Sequence, residues 1–331
     1  MGMEFRIVLF SLDSKKARVA ARRAFQRIAV IDHALSNYRV DSELMRLCRL
    51  AEPGLPLPVS NDLFQILAIS KKMHRLSGGA FEISIGPLSG LWKRSRRSHR
   101  LPTEKALAEA KARVGSEWIR LDHARHTVEF LKKGILLDPG GIAKGYAVDQ
   151  ALLVLRENGI DSALVDGSGD IAASAPPPGA PGWKIGISAR EKTISKRIYL
   201  AQGAVATSGD RFGHVIIGGK SYSHIVNPKT GLGLVDSKAV TVFHRNCTYA
   251  DALATSLSVL SVDQGKALIG RLEHTGAIWD LGRKGKIQTP IPLSILPYIM
   301  EEPKEHLTTK QQTTNPQKDP IFKKNPTGEK K

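Results

Sequence analysis

Leu137-Asp138-Pro139-Gly140-Gly141-Ile142-Ala143-Lys144-Gly145-Tyr146-Ala147-Val148-Asp149-Gln150 is the stretch on which the reading of this chain turns. The apolar run Gly134-Ile135-Leu136-Leu137 that leads into it reads as a strand. After it, Ala143, Ala147, Ala151, Val154 and Leu155 recur at helical spacing until Asn158-Gly159 supplies a stop. A tight Asp-Pro-Gly-Gly turn therefore opens a helix. The free backbone N–H groups of a helix start and the positive end of its dipole suit a phosphate, and two glycines let a ligand approach the main chain. Lys144 lies in the first helical turn, against the dipole, at a cost of roughly a few tenths of a kcal/mol unless an anion sits beside it. A solvated lysine on a strand–turn–helix corner is the equal alternative. Neither G-x-x-x-x-G-K-[ST] nor G-x-G-x-x-G fits the stretch, so a P-loop and a Rossmann site are both unsupported.

The 331 residues suffice for one large domain or two small ones, and the apolar content of 41% is ordinary. No run reaches the length of about 18 apolar residues that a membrane-spanning helix needs. Met3 to Leu12 already alternates like a strand, without a leader pattern before it. Cys48 and Cys247 are far apart, which points to neither a disulfide framework nor a cysteine metal site. The net charge of +18 suggests anionic partners: nucleic acid, a phospholipid surface or a phosphorylated ligand. Its densest cluster, Lys93 to Arg100, reads as a solvated basic loop before a Pro102-Thr103 helix start. Only Trp92 adjoins it for stacking and no nucleic-acid-binding motif accompanies it, so no nucleic acid is expected.

Read in order, Met3–Leu12 is a strand and Ser14 starts a helix with Ala17, Ala21, Ala24, Ile28, Ile31 and Leu35 on one face. Ser42 caps a short helix, Ser60 or Asn61 another, and Ala80–Ile85 looks extended. Thr103–Val114 is a charged surface helix, and a series of short strands with glycine turns follows the central helix. Tyr249–Ser261 is helical, and Ser261-Val262-Asp263-Gln264 resembles a capping box. From Glu301 the chain is polar, proline-dotted and lysine-rich, as disordered tails are. Antiparallel strands with interspersed helices make the class α+β.

Three features carry chemistry. Asp251 and Thr255 stand four apart on one helix face, offering the hard oxygen ligands that Mg²⁺ prefers. The alternative is that Asp251 favours the helix start while Thr255 packs. Tyr38, in a polar loop, suits a stacking plate or partly buried scaffold. His224, read on a strand before the Asn227-Pro228 turn, is a candidate base or a structural histidine.

The order of these pieces resembles the ApbE family of FAD:protein FMN transferases. The matching segments are Met1-Gly2-Met3, Ser36-Asn37-Tyr38 with Ser42-Glu43, Gly79-Ala80-Phe81-Glu82, Leu137–Asp149, Val165–Asp170, Ala206–Asp210, His224–Gly231 and Asp251–Ser256. The resemblance implies an ApbE-like α+β fold of mixed, largely antiparallel sheets with packed helices. It also implies one domain over 1–298 and a disordered tail over 299–331. It implies an enzyme that uses Mg²⁺, cleaves FAD, attaches FMN to a Thr or Ser hydroxyl of an acceptor protein and releases AMP. In that scheme the Gly141 carbonyl, Asp251 and Thr255 hold the metal and His224 is the base. Met1, Tyr38, Ala80, Phe81, Glu82, Asp138, Lys144 and Ile225 line the FAD site. The implied acceptors carry an Asp-(Gly/Ser)-x-(Ser/Thr)-Gly-Ala-Thr motif and include subunits of redox-driven ion pumps. The implied location is the cell envelope, with membrane-surface association and a leader upstream of Met1. Glu82 stands where the family has Asp, Ser168 where it has Gly, and Asn227 where it has Asp. The competing readings are an Mg²⁺-dependent FAD pyrophosphatase, with water in place of the acceptor hydroxyl, and a flavin-binding protein without turnover.

Overall fold

Phe5, Ile7 and Leu9 alternate with Arg6, Val8 and Phe10, and this period of two buries one face of the first strand, β1 (Phe5–Phe10). Asp13 then accepts from the Lys15 and Lys16 amides at 2.8 and 3.0 Å and caps α1 (Ser14–Leu35). The structure, a computed structural model, describes residues 3–188, 194–209, 214–235, 238–282 and 285–289, with the backbone of two short strands at 299–301 and 322–324.

After α1 come α2 (Glu43–Leu50), β2 (Leu57–Pro58), α3 (Asn61–Leu76), α4 (Gly86–Ser98) and α5 (Glu104–Lys111). Then follow β3 (Ile119–Asp122), β4 (Thr127–Phe130), α6 (Ala143–Glu157), β5 (Ser162–Gly167), β6 (Asp170–Ala173), β7 (Trp183–Ser188), β8 (Ile194–Leu200) and β9 (Gly203–Ser208). The hairpin β10 (Val215–Ile217) and β11 (Lys220–Tyr222) precedes β12 (Ala239–His244), α7 (Cys247–Val259) and α8 (Val262–Ile269). Last are β13 (Gly276–Asp280), β14 (Lys286–Gln288), β15 (Ile299–Glu301) and β16 (Phe322–Lys324).

The organising layer is an eight-stranded sheet in the order β14-β13-β12-β9-β6-β5-β1-β16, with every neighbouring pair antiparallel. Alternation assigns its two faces. Ile7, Val165, Ala172, Ala206, Val240 and Val242 face α1, α6 and α7, while Leu164, Ala173 and Val205 face β7 and β8. On the helical side, Ala20, Ala21 and Ala24 of α1 and Ala147 and Ala151 of α6 are buried and small, so the helix axes approach closely. A separate cluster joins Leu88, Leu91 and Trp92 of α4 to Val215, Ile217 and Tyr222 of the β10–β11 hairpin. The class is α+β, as the sequence pattern indicates.

Four local expectations change. Ala80–Ile85 is a set of turns with a single parallel bridge from Ile85 to Leu136, and 134–137 is likewise no strand beyond that bridge. Glu82 folds its carboxylate back onto Ser84, which an extended backbone would not permit. The basic stretch from Lys93 is the second half of α4 rather than a loop. Leu88, Leu91, Trp92 and Ser95 recur every three to four residues and are buried, and His99 ends the helix in the left-handed region with φ 53°. His224 lies in a bend after β11, where the Ser223 hydroxyl accepts from the Ile225 amide at 3.0 Å and breaks the strand.

The Ser261–Gln264 capping box forms as its spacing requires, with both reciprocal bonds present. Ser168 has φ 59°, where an L residue costs about 1–2 kcal/mol. Its hydroxyl donates to the Glu4 carbonyl at 2.9 Å, which offsets part of that cost. The tail expected to be disordered over 299–331 lies outside the described residues, apart from the backbones of β15 and β16 beside β8 and β1.

Candidate functional site

The start of α6 has no side-chain cap of its own, because its N-cap residue is Ile142. The Gly145 amide instead donates to Asp251 Oδ2, 3.1 Å away on α7. The arrangement is reciprocal. Asp149 of α6 accepts from the Cys247 and Thr248 amides, each at 2.8 Å, and from the Thr248 hydroxyl at 2.6 Å, completing the start of α7. Gly145 makes this crossing feasible, since a Cβ there would lie 2.3 Å from the Cys247 carbonyl oxygen and 2.9 Å from Asp251 Cβ.

Lys144 projects from the same turn and donates to Asp170 Oδ2 on β6. The anion that offsets its place against the helix dipole is thus supplied by the protein. Burial alone would lower the Lys144 pKa, but the charges of Asp251 and Asp170 reverse that and raise it. Asp170 is pushed up to about 7, by burial first and the Asp251 charge second, against the pull of Lys144. Burial raises Asp251 as well, while Lys144 and the Gly145 amide oppose it. Lys144 pairs directly with Asp170 and acts on Asp251 through its charge, so with both carboxyls ionised this buried cluster would carry an excess of negative charge.

A divalent cation would relieve that excess, and the donors beside it are of the right kind. Asp251, 4% exposed, contributes a carboxylate. Thr255, one turn further along α7, is the member of the 251–258 stretch that is not buried. Gly141 packs directly on it, for a Cβ at Gly141 would stand 2.9 Å from Thr255 Oγ1. A carboxylate, a hydroxyl and a main-chain carbonyl form a sparse set of hard oxygens, which fits Mg²⁺ because that ion keeps several waters. No cluster of three His, Cys, Asp or Glu residues suited to a metal occurs among the described residues, so a softer, protein-saturated metal centre has no support there.

Asp138 opens the same stretch at the rim. Its Oδ1 accepts from Asn37 Nδ2 at 2.8 Å and the Gly140 amide at 3.1 Å, and its Oδ2 from the Ser89 hydroxyl at 2.6 Å. Asn37 thereby places its neighbour Tyr38 beside the turn. Tyr38 is 75% exposed, with Lys93 Nζ 4.7 Å from its ring centroid, so an aromatic face is presented to solvent.

Ala80 and Phe81 are buried, and the Phe81 amide donates to the Ser77 hydroxyl at 3.0 Å. The Ile83 carbonyl accepts from the Asp138 amide at 2.8 Å, which ties this turn to the central stretch. Glu82 is turned inward. Its carboxylate accepts from the Ser84 amide and hydroxyl at 2.9 and 2.7 Å, the Ser116 amide and hydroxyl at 3.1 and 2.7 Å, and His74 Nδ1 at 2.9 Å. Burial pushes the Glu82 carboxyl up, but the bonds from His74, Ser116 and Ser84 outweigh it and bring the pKa from 4.5 to about 2. The bond to Glu82 raises His74 above 6.5, against burial, which lowers it.

A pH dependence follows from these two directions. The depressed carboxyl stabilises the fold above its unfolded value and loses that contribution as pH falls toward about 2. The raised imidazole stabilises below 6.5 and loses its contribution as pH climbs through the folded value. The gap in thermal midpoint between wild type and Glu82→Gln is therefore expected to be widest between 4.5 and 6.5 and to shrink on either side. At its widest it should correspond to roughly 3 kcal/mol, as for a broken buried ion pair. A gap that stays constant from about pH 3 to about pH 9 would show that no linked charge is involved.

His224 is exposed and Ile225 half-buried in the bend after β11. The bend is held to α4 by a bond from Trp92 Nε1 to the Ser223 carbonyl at 2.9 Å. Asn227 forms its own turn, its Oδ1 accepting from the Lys229 amide at 2.9 Å. Met1, expected in the FAD pocket, lies outside the described residues. Three contributors went unread in the sequence: Asp170 as the partner of Lys144, Asp149 as the acceptor that joins the N-cap Asn246 at the start of α7, and Ser89 as a support of Asp138. Asp149 and Asp170 do stand inside matching segments, and that was their only signal.

The family model described as the ApbE family matches residues 1–279. A curated protein of Chlamydia muridarum named FAD:protein FMN transferase is 31% identical over 269 residues, 80% of this chain and 83% of its own length. One of the same name from Haemophilus influenzae is 30% identical, over 71% of this chain and 70% of its own. Among solved structures, the flavin transferase ApbE from Vibrio cholerae superposes with a TM-score of 0.76 at 26% identity, covering 90% of this chain and 96% of that one.

Proposed function

The chain belongs to the ApbE family and is a flavin transferase; from that premise we propose that it moves FMN from FAD, with the help of Mg²⁺, onto a Ser or Thr hydroxyl of an acceptor protein and releases AMP. The observation that carries the metal part of this reading is the shared pocket of Asp251, Asp170 and Lys144, with Thr255 and Gly141 beside it. With both carboxyls ionised against one lysine, a divalent cation would balance the remaining charge.

In this reading Asp251, Thr255 and the Gly141 carbonyl hold the ion, whose chemistry is to neutralise charge on the transferring phosphoryl group. Tyr38 stacks on the flavin, and Asp138, Lys144, Ala80, Phe81 and Ile225 line the rest of the FAD site, with Met1 and Glu82 assigned there by resemblance alone. Glu82 works from behind, keeping the 80–86 turn against the central stretch. His224 takes the proton of the acceptor hydroxyl. The hydroxyl oxygen forms a bond to the phosphorus on the riboflavin side of FAD, and the pyrophosphate bond to AMP breaks. The exposure of His224 leaves it within reach of an acceptor as large as a protein. The acceptors carry the Asp-(Gly/Ser)-x-(Ser/Thr)-Gly-Ala-Thr motif, subunits of redox-driven ion pumps among them, and the site of action is the cell envelope.

The test is a mass spectrum of a motif-bearing acceptor after incubation with this protein, FAD and Mg²⁺, with and without EDTA. The reading requires a gain of one FMN less water on the acceptor, abolished by EDTA. An unmodified acceptor with free FMN and AMP would replace it by a pyrophosphatase, and intact FAD by a flavin binder. In the same assay His224→Ala is expected to slow transfer by about 10²–10⁴-fold with the KM for FAD little changed. A rate within about threefold of wild type would remove His224 as the base.

A further inference from the structure

The outward side of α4 carries Lys93, Arg94, Arg96 and Arg97, and His99 and Arg100 follow at its end. Since Leu88, Leu91, Trp92 and Ser95 take the inward face, helical geometry gathers the cations on one side. Arg94, Arg97, His99 and Arg100 are exposed. Among the described residues no carboxylate forms an ion pair with Lys93, Arg94, Arg96, Arg97 or Arg100. Arg96 Nε is moreover buried without a hydrogen-bond partner. Like charges three and four apart on a helix repel, and a buried donor without a partner costs about 1–3 kcal/mol. The repulsion among the exposed cations is a local destabilisation that an external anion would relieve, whereas the buried Arg96 Nε lies out of its reach.

The same helix holds three parts of the site. Ser89 bonds Asp138, Lys93 lies over Tyr38, and Trp92 bonds the carbonyl next to His224. The His224 bend packs on the inward face of α4 through Trp92, so a polymer bound along the stripe meets the site at the edge where Lys93 lies over Tyr38. We propose that the outward face of α4 is the docking surface for an acidic segment of the acceptor protein, and that it delivers the acceptor hydroxyl to His224. This rests on the transferase reading above. An anionic lipid surface is the less suitable occupant. Helices that lie on membranes pair their cations with exposed apolar residues, whereas α4 turns Leu88, Leu91 and Trp92 into the fold.

The experiment uses the full chain and the triple variant Arg94→Gln/Arg97→Gln/Arg100→Gln, none of which contacts the proposed FAD or metal residues. Initial transfer rates are measured against acceptor at saturating FAD, and against FAD at saturating acceptor. The KM for acceptor should rise about tenfold or more, with kcat and the KM for FAD within about twofold. Salt raised from about 50 to about 500 mM should reproduce the effect in wild type and do little in the variant. An unchanged KM for acceptor overturns the proposal. So does loss of binding to phosphatidylglycerol vesicles with acceptor kinetics intact, which would assign the stripe to lipid. Anisotropy binding of an acceptor whose target hydroxyl residue is alanine separates this inference from the reading beneath it. If wild type binds that acceptor through the arginines yet transfers no FMN to the form that keeps its hydroxyl, docking stands and the proposed Ser/Thr transfer falls. A matching variant with Glu at the three positions should weaken binding further than Gln, a graded response that misfolding would not give.

Discussion

Asp251→Asn is expected to lower the rate of FMN transfer by about three orders of magnitude while leaving the protein as stable as wild type or more so. The activity part follows from removing the charged donor of the proposed Mg²⁺ site. Metal stabilisation of a transferring phosphoryl group is worth several kcal/mol, and about 4 kcal/mol is a factor of 10³. The stability part follows from the geometry. Asparagine keeps a side-chain oxygen for the Gly145 amide, so the bond that completes α6 remains. It also removes the buried carboxyl whose charge acts on Lys144 and Asp170, leaving those two as a directly bonded pair. Transfer assays at saturating Mg²⁺ with parallel thermal melts check both halves. A rate within about tenfold of wild type would remove Asp251 from the metal site. A fall in midpoint large enough to unfold the protein would make the lost activity uninformative about metal, and a Thr255→Val variant would then decide.

Gly145→Ala is the second large effect. The new Cβ would meet the Cys247 carbonyl oxygen at 2.3 Å and its carbon at 2.7 Å, and main chain cannot swing aside as a side-chain tip can. α6 and α7 must separate, at a cost of about 1–3 kcal/mol for overpacking. The separation carries Asp251 away from the turn at Gly141, and a displacement near 1 Å is worth on the order of 10²-fold in rate. Gly90→Ala is the control, because nothing lies within 4 Å of its Cβ position on α4. That substitution should be neutral or stabilise by about 0.4–1 kcal/mol through the unfolded chain. Equal behaviour of the two variants in melts and assays would mean that the close crossing of α6 and α7 does not position the site.

The parts of this protein legible in the sequence are those whose cause is local. The capping box at Ser261, the apolar face of α1, and the Asp251–Thr255 spacing on α7 are fixed by residues within one or two turns. The family resemblance supplied the order of the site segments, which no spacing rule contains. What escaped has distant causes. Nothing near Lys144 names Asp170 as its partner, 26 residues on and across the sheet. Glu82 gives no hint of Ser116, 34 residues away, so an apolar-looking segment passes for a strand. The basic run after Trp92 passes for a loop because Gly86-Pro87 suggests a break, although proline is welcome in a first helical turn.

The exchange of carboxylates between α6 and α7 also bears on the order in which the molecule is built. Gly145 and Asp251 are separated by 106 positions, and Asp149 and Cys247 by 98. During synthesis the start of α6 emerges early and has no partner of its own, since Ile142 offers none. It remains incomplete until α7 has left the ribosome, and α7 then finds its own first turn finished by a residue made long before. Neither end is complete without the other, so the Asp251–Thr255 side of the pocket comes into being in the step that docks the two helices. A chain arrested before residue 251 has helix α6 in its sequence but no site.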